Sequence, residues 1–365
     1  MGRSKKKTNK ENKTKPGARK SSENLKAEEC NVDDLLSQME SCMNELQYDQ
    51  AREYGESALR KEPNNLKVLD ALSSLLLEMA DPSSALELLH RMVQLDPDGG
   101  YRKYLSLGQL TGGKESLAHY AKGVQILCNL LQEQQGLAAA SEGSSEADLN
   151  RALSSAYCAM AEIYMTDCCD EEDAEQQCSE LVQKSIQADP SNPEAFQVQA
   201  NFLLVKQEHE AAKEAMQRSL SLWLPQHERL LLGEDAGNSD PVEVCPLSYS
   251  SRVNGAKVLI ELEMLDEANT VLDGLIEEDD GVVDVWYLLG WLNYLRGGEY
   301  QGNARYYLSK AREVARKVQF DDADELAHIE ELLAELGPEP EGGDEDEDKA
   351  SFASESEEEE EAMEM

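Results

Sequence analysis

Trp286-Tyr-Leu-Leu289-Gly290 is followed, one helical span later, by Ala304-Arg-Tyr-Tyr-Leu308-Ser-Lys-Ala311. Large apolar side chains at helical spacing, then a glycine, then alanines flanking a leucine describe two helices that pack closely. The same grammar recurs at a fixed interval. Ala51 and Ala85 are 34 residues apart, as are Pro63 and Pro97, and as are Cys178 and Ala212. One unit reads Leu35, Gln38, Met39, Cys42, Ala51, Gly55, Ala58, Pro63, and the next reads Leu69, Leu72, Ser73, Leu76, Ala85, Leu89, Met92, Pro97. Further on, Val182 and Ser185 are answered by Met216 and Ser219. Small residues let antiparallel helices touch, and large ones fill the groove between them. Proline cannot extend the preceding helix and so starts the turn into the next unit. One such pair cannot bury its own apolar face, so neighbours must stack.

Trp286-x-x-Leu289-Gly290 with Ala304-x-x-x-Leu308 resembles the tetratricopeptide (TPR) signature, with Asn293 standing where tyrosine is usual. The expected fold is an all-α TPR-type solenoid over residues 28–337, with about seven units beginning near residues 32, 66, 101, 154, 193, 249 and 283. The third unit is short, because Gly108 to Ser116 spans eight residues where the pattern wants twelve. Gly136–Asp148 reads as a polar insertion, Thr166–Asp173 as about five extra residues, and Gly233–Ser248 as a long loop. A last helix, Asp322–Leu336, closes at Gly337-Pro338 and suits a cap.

Charge is distributed unevenly along the 365 residues, whose net value is −40. Residues 1–26 hold ten bases against two acids, and residues 338–365 hold fourteen acids against Lys349. Both arms lack the hydrophobes needed to fold and read as disordered. The body between them carries 23 bases and 58 acids. Such a body repels nucleic acid and anionic membrane and draws basic proteins over long range, although charge also serves solubility. The basic arm (Lys5, Lys6, Lys7, Lys10, Lys13, Lys15, Arg19, Lys20) reads as an import signal for an import receptor, a nucleic-acid tail or a solubilising arm. Ser351, Ser354 and Ser356 lie in the acidic context that acidophilic kinases prefer.

Chemistry is sparse. There is no phosphate-binding glycine loop, no dinucleotide fingerprint, no nucleophile elbow and no H-E-x-x-H motif. The five histidines are scattered and read as solvent-facing helix positions. The eight cysteines form no C-x-x-C pair, which points to reduced thiols. Cys168, Cys169 and Cys178 match no zinc spacing. No cofactor and no metal are expected. No secretory leader or 18-residue apolar run is present, so the expected setting is the cytosol, the nucleus or both, without membrane attachment.

A TPR array binds through its concave face, which the resemblance assigns to positions 2, 5, 9, 12 and 13 of each first helix. Those positions hold eight carboxylates (Asp33, Glu40, Asp70, Glu78, Glu162, Glu194, Glu261, Asp284) and three bases, Lys67, Arg102 and Lys257. The seventh unit adds Tyr287, Trp291 and Tyr294 on one face. These are the candidate client-binding residues: an acidic groove with an aromatic anchor for a basic segment. The competing reading is solvated charge and an inter-repeat aromatic core. Leu36 and Glu40 stand where co-chaperones that grip acidic tails carry a cationic clamp, so that role is not expected.

The stretch Tyr104-Leu-Ser-Leu-Gly-Gln-Leu-Thr-Gly-Gly-Lys-Glu-Ser-Leu-Ala-His-Tyr-Ala-Lys-Gly123 resembles the corresponding segment of the dedicated assembly chaperones of large-subunit ribosomal protein four. The TPR body, the charged arms and the acidic C-terminus are shared with that family. The resemblance implies binding of the newly made ribosomal protein through a long basic loop, followed by escort to nuclear pre-60S assembly. Without the resemblance, the residues support an acidic scaffold for a basic client, and a TPR adaptor subunit of a larger complex stands as the alternative.

Overall fold

A computed structural model of the chain describes residues 30–136, 145–231 and 245–337. Both charged arms therefore lie outside the described residues, as do residues 137–144 and 232–244. The chain divides into two compact units, Met1–Val198 and Gln199–Met365. The first holds α1 (Val32–Asn44), α2 (Tyr48–Lys61), α3 (Leu66–Glu78), α4 (Pro82–Leu95), α5 (Arg102–Leu110), α6 (Gly113–Gly136), α7 (Glu146–Met165) and α8 (Ala174–Ala188). α9 (Pro193–Val205) carries residues of both. The second holds α10 (His209–Ser221), α11 (Leu224–Leu231), α12 (Tyr249–Glu261), α13 (Leu265–Glu278), α14 (Val283–Arg296), α15 (Gln301–Val318) and α16 (Ala323–Leu336). A 3-10 turn, Gly298–Tyr300, precedes α15, and no strand occurs among the described residues.

Helices pack in successive antiparallel pairs: α1 with α2, α3 with α4, α5 with α6, α7 with α8, then α12 with α13 and α14 with α15. Side-chain caps fix several starts. Asn31 Oδ1 accepts from the Asp34 amide at 2.8 Å, and Asp81 Oδ1 accepts from that of Ser84 at 3.1 Å, with Pro82 at the first position. The recurring alanines Ala51, Ala85, Ala212, Ala268 and Ala304 are wholly buried, where a larger side chain would hold paired helices apart. Leu35 and Leu69, one repeat apart, are buried to the same extent. Each such leucine contributes about 1.5–3 kcal/mol through removal from water.

The turns inside the pairs repeat as closely as the helices. Leu46, Ala80, Gln207 and Glu263 all take left-handed backbone conformations, with φ of 56°, 55°, 63° and 59°. In each case the next amide reaches back over the helix end: Gln47 to the Cys42 carbonyl, Asp81 to Leu76, Glu208 to Leu203 and Met264 to Leu259, at 2.8–2.9 Å. This arrangement closes the carbonyls that a helix end leaves open.

Six of the seven expected first helices begin within one residue of the sequence reading. The fourth begins at Glu146 and not near residue 154, because Ser145 and Asp148 form a reciprocal capping box that starts the helix two turns early. The third unit is indeed short, with nine residues in α5 against thirteen in α1 and α3. Its second helix, α6, is unexpectedly long at 24 residues. α11 was not anticipated. The closing helix is capped by Asp322 and ends at Gly337, whose φ is 69°. The histidines differ from expectation: His227 is buried beside Trp223, and His119 and His328 are half-buried, while His90 and His209 face solvent.

Candidate binding site

In the first unit the expected positions bring carboxylates to one series of helices. Asp33 and Glu40 on α1 and Glu78 on α3 are exposed, and none is ion-paired among the described residues. Asp70 on α3 is half-buried and faces basic neighbours. Tyr101, and beyond it Asp70 and Asp148, stabilise the Arg102 charge and raise its pKa, against the opposing effect of burial. Lys103 beside it is buried, and its ammonium donates to the carbonyls of Asp96 and Gly99. Lys67 is exposed.

Two of the expected acids lie near enough to feel each other's charge. Glu194 sits in the first turn of α9, which Asn192 caps by accepting from the Glu194 amide at 3.2 Å. The Asn192 amide donates to Ser154 Oγ at 2.9 Å, and Ser154 Oγ donates to the Ser185 carbonyl at 2.9 Å. This chain of buried polar bonds joins α7, α8 and the start of α9. Ser155 on the next position of α7 then donates to Glu194 Oε2 at 2.6 Å. Glu162, two turns further along α7, faces the same place. Its side chain is exposed to solvent, with neighbouring protein atoms excluding water from part of the carboxyl's surroundings. That partial desolvation, with the Glu194 charge beside it, pushes the Glu162 carboxyl up to about 7.

Tyr120 of α6 completes this group and was not among the expected residues. It is only 5 % exposed, and burial, then the charges of Glu162 and Glu194, push its phenol up to about 12. Its ring presses on Gly108, where an added β-carbon would lie 2.6 Å from two ring carbons. Cys158, buried beneath the pair, is raised well above the ordinary thiol value by burial first and by both carboxylates after it. The first-helix register could not have found Tyr120, because it comes from a second helix. The sequence signal was Gly108, the small residue at the point where α5 is truncated.

In the second unit Glu261 is exposed, whereas Asp284 is paired with Lys257 at 3.5 Å. Tyr287, Trp291 and Tyr294 share one face of α14, and α16 lies against that face. Tyr287 and Trp291 stack with centroids 6.3 Å apart and planes 8° apart. His328 of α16 stands edge-on to both, and its Nδ1 is hydrogen-bonded to the Tyr287 hydroxyl at 2.7 Å. The Tyr294 hydroxyl donates to Glu335, also on α16. All three rings are half-buried. Glu325, in the first turn of α16, joins the acidic side of this face. Burial and then Asp284 raise its carboxyl to about 7, while Lys257 opposes the rise.

No family model matches the chain. Among curated proteins it is 33 % identical over 286 residues to the "Probable assembly chaperone of rpl4" of Schizosaccharomyces pombe, spanning 73 % of this chain and 79 % of that one. The chain belongs to the rpl4 assembly chaperone family. A second member, from Emericella nidulans, is 30 % identical over 247 residues, 65 % of this chain and 56 % of the relative, so the match spans little more than half of that protein. A solved structure of an assembly chaperone of RpL4 (Acl4, residues 1–338) superposes with a TM-score of 0.60 at 32 % identity, covering 73 % of this chain and 97 % of that structure. The rpl4 assembly chaperones thus share with this chain both sequence and the paired-helix repeat fold.

Proposed function

We propose that this chain is a dedicated assembly chaperone, without enzymatic activity, that binds newly made large-subunit ribosomal protein L4 and escorts it to pre-60S assembly in the nucleus. The observation that carries the reading is the 33 % identity spanning 79 % of the fission-yeast rpl4 assembly chaperone. The residues fit that work. Unpaired acids at Asp33, Glu40 and Glu78, and the adjacent acids Glu162 and Glu194, offer negative potential with few local cations to cancel it. A cationic protein that has not yet reached its RNA needs such screening. The basic arm supplies an import signal in this reading, and the acidic tail adds to the screening.

The test is co-expression of the tagged chain with L4 and, in parallel, with another ribosomal protein of similar size and charge. A one-to-one complex that forms with L4 and not with the other protein is the expected result. Equal capture of both, or of neither, rejects a dedicated role.

A further inference from the structure

α15 differs from the rest of the body in its charge. It carries Arg305, Lys310, Arg312, Arg316 and Lys317 against Glu313 alone, and no other described helix has so large an excess of bases. Neighbouring acids answer only part of that charge. Glu313 is shared by Lys310 at 3.4 Å and Lys317 at 2.9 Å, and Arg312 reaches Glu330 of α16 at 3.4 Å. Arg316 is exposed and has no ion-pair partner among the described residues. Between the C-terminal end of α15 and the first half of α16 lies an open hollow of about 340 Å³. Phe320, Leu326 and Ile329 line it, together with Arg312 and Arg316. An apolar hollow thus opens within a cationic surface.

The course of the chain points to what fills it. α16 runs back along α15, and Arg305 donates to the Leu336 and Gly337 carbonyls at 2.8 and 3.1 Å. The acidic segment that follows therefore starts beside the basic helix. Residues 338–365 hold fourteen acids, with unbroken runs at 344–348 and 357–361. Between those runs stands Phe352, the sole aromatic residue of the segment. An aromatic side chain flanked by acids is the complement of an apolar hollow flanked by bases. The spacing agrees. Leu326 and Ile329 lie about 12–17 Å back from Gly337 along α16, at 1.5 Å per residue. Phe352 is fifteen residues beyond Gly337, and a flexible segment of that length has a root-mean-square span of about 20 Å.

We propose that residues 338–365 dock on α15 of their own chain, with Phe352 seated in the hollow between α15 and α16. The acids on either side of it then meet Arg312, Arg316 and Lys317. Charge draws the segment to the helix, and burial of the ring fixes its place. The tether holds the ring at an effective concentration in the mM range, so the contact needs little intrinsic affinity. Docking covers the most cationic of the described helices with acid, whichever client the chain carries.

The experiment places a photo-cross-linker in the full chain by the substitution Phe352→p-benzoylphenylalanine, in an equal mixture of isotopically light and heavy copies. Cross-links should fall within residues 312–330 and join light to light and heavy to heavy. Arg316→Glu, at an exposed position, should lower their yield several-fold while circular dichroism shows the fold retained. As a second measurement, Phe352→Ser in the otherwise unaltered chain should speed amide exchange in residues 320–330 several-fold. Cross-links to the basic residues 1–26, or between light and heavy copies, overturn the proposal. A yield indifferent to Arg316→Glu, or exchange unaltered by Phe352→Ser, overturns it equally.

Discussion

Gly290 of α14 lies directly on Leu308 of α15: a β-carbon at Gly290 would come within 2.6 Å of Leu308 Cγ and 3.0 Å of its backbone nitrogen. Neither helix can relieve that clash by rotating one side chain, because part of the obstacle is backbone. Gly290→Ala should therefore lower stability by roughly 1–3 kcal/mol, read as a shift of the denaturant midpoint. At Gly55 the nearest atoms are Leu72 Cδ1 at 2.8 Å and Met39 Sδ at 3.0 Å, both on flexible ends. Gly55→Ala should cost less than Gly290→Ala, and the reverse order would count against this account.

The left-handed turns give a graded series at Ala80, whose φ is 55°. A β-carbon is disfavoured there, and a branched one more so. Ala80→Gly should raise stability by about 0.5 kcal/mol, after the extra freedom of glycine in the unfolded chain is set against the relief. Ala80→Val should lower it by about 1 kcal/mol or more. Thermal unfolding of the three proteins should rank them glycine, alanine, valine.

The 34-residue interval, the buried alanines and six of the seven first-helix starts were legible because each follows from a side chain that only one environment suits. The turn geometry was not legible. Leu46, Ala80, Gln207 and Glu263 take a glycine-like conformation without being glycine, so nothing in their side chains announces it. The same contrast divides the candidate site. Glu162 and Glu194 were reachable by register along first helices, but Tyr120 and Glu325 come from a second helix and the closing helix, where that register does not extend. For Tyr287, Trp291 and Tyr294 the sequence placed the rings on one face and could not say that α16 would lie on it.

That cover makes a prediction about Trp291. Its ring stacks on Tyr287 and meets His328 edge-on, at centroid separations of 6.3 and 6.4 Å. Trp291→Ala should destabilise the second unit by about 3 kcal/mol, the lower end for losing a large aromatic. The loss should appear first as faster hydrogen exchange of the α16 amides. Unchanged protection of α16 would show that the ring does not hold it.

The raised Glu162 carboxyl has a consequence for stability. Its value rises from 4.5 to about 7 on folding, so between those limits the folded chain binds more protons than the unfolded one. Stability from this group is therefore highest below about pH 4.5, declines as pH rises to about 7, and stays at the lower level above. Glu162→Gln should flatten that part of the pH profile and raise the melting temperature at pH 8. A profile identical to wild type would mean that the carboxyl titrates normally.

Charge reversal at Asp33, Glu40 and Glu78 tests long-range attraction without disturbing a pair, since these three are exposed and unpaired among the described residues. Asp70 is best left intact because it faces Arg102 and Lys103. The triple lysine variant should associate with L4 several-fold more slowly and lose much of its salt dependence, with little change in dissociation. Stopped-flow association at low and moderate salt would show this. An unaltered rate would move the contact elsewhere.

The Asn192–Ser154–Ser185 chain of bonds bears on how a periodic molecule avoids misalignment. Neighbouring repeats are alike enough that a pair of helices displaced against its neighbour would still find leucine opposite leucine and alanine opposite alanine. Greasy contacts forgive such a slip. A buried amide does not: shifted from Ser154, the side chain of Asn192, which is 1 % exposed, would face hydrocarbon with its donors unmet, at a cost of about 1–3 kcal/mol. These three small polar residues thus act as a positional key in a stretch of chain whose own regularity would otherwise permit several near-equivalent alignments.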